Sequence, residues 1–180
     1  DHLGRLIAVL ERAGVLDETL VIVTADHGES QGELNVYGDH QTADEATCRV
    51  PLIVRWPGRV EPGVDAELRY QMDLAASTTL WAGAEPPAAW DARPLTDASG
   101  RPAPGRPELI LSQMAWSCQR AVRVGRHLCI RTYDAGLKDL PDTMLFDVEA
   151  DPHELHDLAA ERPDVVADAA RRLEAWHAEA

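Results

Sequence analysis

Residues 19–25, "TLVIVTA", are a near-continuous run of apolar and β-branched residues that stops at an acid, a histidine and a glycine, "DHGE". A run of this length and composition reads as a strand buried on both faces, the form a parallel strand takes inside an α/β sheet. Ahead of it, Leu3, Leu6, Ile7, Val9, Leu10 and Ala13 recur at helical spacing and Gly14 follows as a C-cap, so residues 1–13 read as an amphipathic helix. A second apolar strand over 50–54, closed by Pro57-Gly58, repeats the pattern. Helix and buried strand in this order are α/β organisation.

In open α/β sheets ligands bind beyond the carboxyl ends of the strands, where Asp26 and His27 lie. Neighbours on a continuing strand point to opposite faces, so the two converge on one ion only if the strand stops between them, and Gly28 supplies freedom to turn there. A carboxylate beside an imidazole suits a divalent ion. The imidazole tilts the choice toward zinc, manganese or iron, because calcium prefers an all-oxygen shell. Two ligands do not complete a site, and others must come from elsewhere. On the bare "DHG" alone, a turn capped by Asp26 and His27 stands as the competing reading. A second acid and histidine, Asp39 and His40, follow a short loop later; bonding of His40 to Asp39 is the structural alternative to a functional role there.

The remaining chain divides by composition. Residues 71–85 read as a helix, with Asp73 able to cap its start and Gly83 near its end. Six prolines and two glycines between 86 and 107 mark a linker or surface loop. Beyond it the period changes to two, giving short antiparallel strands at "ELILSQMAW", "CQRAVRV", "HLCIRTY" and "MLFDV", and Val166, Ala169, Leu173 and Trp176 form the stripe of a closing helix that starts at Pro163. The expected domains are therefore 1–85, part of an α/β core; 86–107, the linker; and 108–180, an α+β subdomain.

The net charge of −14 over 180 residues argues against a nucleic-acid-binding surface, which shows clustered Lys and Arg, and disfavours anionic membranes. Three cysteines, with Cys118 and Cys129 out of register across a hairpin turning at Gly125-Arg126, argue against a disulfide framework and fit a reducing, cytoplasmic compartment.

"TADHGE", the Gly-containing loop and "RVPLIVRWPG" together resemble the sulfatase family of the alkaline phosphatase superfamily. "YQMDLAASTTLWAGAEPP" and "MLFDVEADPHELHDLA" look like that family's later helix and C-terminal motif, in the same order. The resemblance implies an alkaline-phosphatase-like α/β sandwich with a small C-terminal antiparallel sheet plus helix, and the second part of a longer enzyme. It implies that Asp26 and His27 are two of the metal ligands, the others lying upstream with a formylglycine made from Cys or Ser in a C/S-x-P/A-x-R motif. Cys48, Cys118 and Cys129 stand in no such motif.

Counting back from "RVP", His40 occupies the place of a lysine that contacts the sulfate oxygens in the family. This exchanges a permanent charge for a hydrogen-bond donor whose charge varies near neutral pH, and predicts a steeper pH dependence. Asp-His in place of the commoner Asp-Asn also occurs in phosphonate monoester and phosphodiester hydrolases that use manganese or zinc. The expected function is metal-dependent hydrolysis of a small sulfate ester, with calcium, manganese or zinc. A phosphonate or phosphodiester hydrolase and a non-catalytic ion-binding relative are the alternatives. Glu29 and Asp39 are expected outside the ligand set. "DPHELHDL", with Asp151, His153, Glu154 and His156, reads as a polar turn starting a helix, and Arg120 and Arg123 as strand-surface charges.

Overall fold

The computed structural model describes residues 2–179. In chain order its elements are helix α1 (His2–Arg12), strands β1 (Val21–Thr24), β2 (Ser30–Gln31) and β3 (Tyr37–Asp39), the short helix α2 (Glu45–Cys48), strand β4 (Leu52–Arg55), helix α3 (Asp73–Trp81), strands β5 (Glu108–Gln113), β6 (Cys118–Val124), β7 (His127–Asp134) and β8 (Thr143–Asp147), and helix α4 (Pro163–Glu179). The chain folds as two units: residues 2–24 with 51–105, and 25–50 with 106–179. Stretch 25–50, which carries every expected site residue, thus groups with the C-terminal strands, a division that the linear reading of 1–85, 86–107 and 108–180 does not anticipate.

In the first unit, β1 pairs with β4 from Val21↔Arg55 to Thr24↔Leu52 in antiparallel register. The expectation of a parallel strand buried on both faces is not met. This sheet has two strands, so each strand keeps an open edge, and β1 is half-buried while Leu52 and Ile53 of β4 are exposed. An unbroken apolar run specifies burial potential, not strand direction. Helix α1 forms as its periodicity predicts, and its Leu3, Leu6 and Val9 are exposed.

Asp73 opens α3 and is fully buried. Its carboxylate accepts the Tyr70 N–H at 2.9 Å and the Arg93 N–H at 2.8 Å, so it caps the turn before the helix and holds the proline-rich loop as well. That loop is packed rather than free. Leu95 N–H donates to Ser77 Oγ at 2.8 Å, Trp81 Nε1 donates to Thr96 Oγ1 at 3.0 Å, and Leu95 and Thr96 are buried.

The second unit is organised by a four-stranded antiparallel meander, β5-β6-β7-β8. The hairpin turns at Gly125, φ 53°, and pairs Val122 with Cys129 as expected, while a bulge after Cys118 sets that residue opposite Asp134. Alternation gives the sheet two apolar faces. Val122, Cys129 and Leu145 pack on Ala169 and Leu173 of α4. Ala121, Leu128, Ile130, Met144 and Phe146 pack on Ala43, so the segment after His40 lies against the sheet. No helix among the described residues is long and apolar enough to cross a membrane.

Candidate metal and anion site

Strand β1 ends at Thr24, and Asp26 and His27 follow at a bend. Asp26 Oδ1 accepts the His27 N–H at 3.0 Å. This bond, then the Asp26 N–H and the positive charge that the His27 ring carries when protonated, hold the exposed Asp26 carboxyl below its usual range. His27 Nδ1 lies 2.8 Å from the Gly28 carbonyl oxygen. A carbonyl only accepts, so Nδ1 carries the proton and, in the neutral ring, Nε2 keeps its lone pair. That nitrogen is 3.7 Å from Asp26 Oδ2. Two electron-pair donors facing each other at this distance repel unless a proton or a cation lies between them, and the donor chemistry fits a divalent ion.

Gly28 is required for a reason other than turning. Its N–H donates to Thr47 O at 2.8 Å, and an added Cβ would overlap the Ala46 carbonyl oxygen. The glycine therefore lets α2 approach the Asp26-His27 bend.

The loop returns His40 to His27. Their rings stack with centroids 3.9 Å apart and 19° between planes. His40 Nδ1 is 3.3 Å from Glu29 Oε2. Donor atoms of His27, Glu29 and His40 all lie within 4.8 Å of one another. Glu29, expected outside the ligand set, thus stands inside the donor cluster. Asp39 stands apart from it: Lys138 Nζ is 3.1 Å away. Burial works to raise the Asp39 carboxyl, but the bonds from Lys138 and from His40 N–H outweigh it and hold the group below its usual range.

Side chains of the C-terminal strands hold this loop. Gln113 Nε2 donates to His40 C=O at 2.9 Å, Ser117 Oγ to Gln41 C=O at 2.5 Å, and Ala43 N–H to Gln119 Oε1 at 2.9 Å. Arg123 Nε reaches Glu45 Oε1 at 3.1 Å, so Arg123 is a half-buried ion-pair partner and not the strand-surface charge expected of it. Asp44 caps α2 by accepting Thr47 N–H at 2.7 Å, and Glu154 Oε1 accepts Glu45 N–H at 2.8 Å. Apart from the Asp44 cap, none of these polar anchors is marked in the sequence by a local pattern.

The stretch around His153 and His156 makes separate contacts: His156 Nδ1 lies 3.5 Å from Asp151, and His153 Nδ1 lies 3.9 Å from Glu33. No helix starts there. Leu158 N–H donates to Leu145 O and Asp157 accepts Leu145 N–H, so the segment is tied to β8 and the helix begins only at Pro163. Arg120 lies over Trp176, 5.1 Å from the ring, as a surface charge. All three cysteines are free. Burial pushes the Cys48 thiol up to about 12 and Cys129 to about 11, so neither is a nucleophile at neutral pH.

The chain superposes on solved sulfatase structures, which shows the alkaline-phosphatase-like fold. Residues 1–84, the part that carries the Asp26-His27 motif, match the sulfatase family. It is 29% identical over 167 residues to N-acetylglucosamine-6-O-sulfatase of Bacteroides thetaiotaomicron, covering 88% of this chain and 29% of the relative. A protein solved in complex with its substrate D-glucosamine-2-N,6-O-disulfate superposes with TM-score 0.78 at 26% identity, over 95% of this chain and 36% of the other. The phosphonate monoester hydrolase of Silicibacter pomeroyi superposes with TM-score 0.73 at 29% identity, over 99% and 38%. The chain thus spans about a third of the length of these relatives.

Proposed function

We propose that the protein carrying this chain hydrolyses sulfate esters of small alcohols, with Asp26 and His27 as two ligands of a divalent ion and His40 on the substrate side. The observation that carries this reading is the cluster of His27, Glu29 and His40 donor atoms just after β1, with Asp26 Oδ2 3.7 Å from His27 Nε2 at its exposed side. A bound zinc, manganese or calcium ion would supply Lewis-acid stabilisation of negative charge on the transferring group. His27 offers Nε2 because Gly28 C=O takes the Nδ1 proton. Glu29 orients the His40 ring by accepting from Nδ1–H, and in the protonated ring Nε2–H is then the donor to an oxygen of the sulfuryl group. The nucleophile, a formylglycine in this reading, belongs to a part of the protein outside these residues.

Hydrolysis of a phosphonate monoester or phosphodiester is the second reading. It is favoured by the Asp-His pair and by the likeness to the Silicibacter hydrolase. Steady-state rates of the full-length protein on phenyl sulfate, the monophenyl ester of phenylphosphonic acid and diphenyl phosphate decide between them. A larger kcat/KM on sulfate supports the first, and one larger on phosphorus esters replaces it with the second. Asp26→Ala should remove most of the bound metal, read by elemental analysis, and activity with it. Retention of metal and rate in that variant would remove the site assignment.

A further inference from the structure

The turn between β5 and β6, residues 114–117, carries two large exposed apolar side chains, Met114 at 69% and Trp116 at 76% exposure. Trp116 has φ 64°, in the left-handed region that a bulky residue rarely adopts and that persists only where surroundings enforce it. The enforcement is visible. Gly136 packs on the Trp116 carbonyl so closely that a Cβ there would overlap it. In the amide orientation that satisfies both groups, Gln41 accepts the indole Nε1–H at 3.1 Å and donates to Ala115 C=O at 3.3 Å. Together with the bonds from Gln113 to His40 C=O and Ser117 to Gln41 C=O, this ties the turn to the His40-Gln41 backbone. The polar edge of the indole is satisfied while its faces stay open. A strained, hydrogen-bonded and exposed aromatic contributes little to packing, and such strain gathers at ligand sites.

We infer that Trp116 is the platform for the alcohol part of the ester, stacking the flat, C–H-rich face of a ring, and so is a specificity-determining residue. The inference rests on the substrate-side placement of His40 proposed above. A group esterified to a sulfate at His40 extends to adjacent residues, and of the side chains bonded to the His40 and Gln41 carbonyls, Ser117 lies in this turn and Gln113 immediately precedes it. Aryl rings and the less polar face of a pyranose share the required chemistry.

The test compares the full-length wild type with Trp116→Ala and Trp116→Phe on phenyl sulfate, N-acetylglucosamine 6-sulfate and methyl sulfate. For at least one ring substrate the alanine variant should raise KM about 3- to 10-fold with kcat within about twofold, as loss of an aromatic contact predicts. Phenylalanine should restore most of the affinity, and methyl sulfate should be unaffected. The ring substrate that responds identifies an aryl or a sugar preference. Unchanged KM on both ring substrates, or an equal loss on all three, overturns the assignment. If the wild type hydrolyses no sulfate ester, the sulfatase reading fails by itself. The platform is then read from the Trp116 indole N–H resonance, assigned through Trp116→Phe, on titration with phenol, methyl glucoside and methanol. A shift with a ring compound but not with methanol supports it, and no shift with either ring compound overturns it.

Discussion

Glu154→Gln isolates the cost of keeping a carboxyl group buried under the site loop. Glu154 is 5% exposed, sits at φ 54°, and binds the Glu45 N–H with one oxygen while the other has no partner among the described residues. Burial, with Asp44, Glu45 and Asp151 adding to it against the opposing Glu45 N–H bond, pushes its carboxyl up to about 8 from an ordinary 4.5. Between these values the folded protein binds a proton that the unfolded chain has released. Stability therefore falls as pH rises through this window, by about 1.4 kcal/mol per pH unit, and levels off above it. At neutral pH the accumulated cost is about 3 kcal/mol relative to acid conditions in which both states are protonated. Glutamine keeps an acceptor for Glu45 N–H and never ionises. Urea unfolding of the two proteins between about pH 5 and 8 should show the variant gaining on the wild type by about 1.4 kcal/mol per unit. Groups held low, such as Asp39 and Asp147, lose their contribution only as pH falls below this range, and they are common to both proteins. Parallel pH profiles for the two proteins would refute the reasoning.

Gly28→Ala should cost about 1–3 kcal/mol by forcing Ala46 and α2 away from the bend, and should weaken metal binding in parallel; wild-type urea midpoint and metal affinity would show that the approach is not required. Gln113→Met removes the donor to His40 C=O at nearly constant volume, and should lower kcat about 10-fold, as expected for one lost hydrogen bond, without changing metal content. Unaltered turnover in that variant would show that the C-terminal strands do not set the position of His40.

What was legible in the sequence is what local rules reach. Period-two alternation located β5 to β8 and the Val122↔Cys129 register, and 3.6-residue spacing located α1 and α4. The bend at Asp26-His27 was legible because an apolar strand cannot continue through acid, histidine and glycine. The direction of β1 was not, since a run buried on two faces and a run paired on one side share the same composition. Nor were the anchors of the loop: Gln113 acts on His40 across 73 positions, Gln119 on Ala43 across 76, and Glu154 on Glu45 across 109. A glutamine inside an apolar strand reads as an interruption until the backbone group it satisfies is known. Gln119 is fully buried, with its amide shared between Ala43 N–H and Thr132 Oγ1, so it is tolerated in the core only because the loop supplies its partner. The dependence runs both ways, because Ala43 N–H would in turn be a buried donor without a partner. Sheet and loop therefore each complete the other's hydrogen bonding, and the geometry at His40 depends on residues beyond 105 as much as on the motif at 24–29.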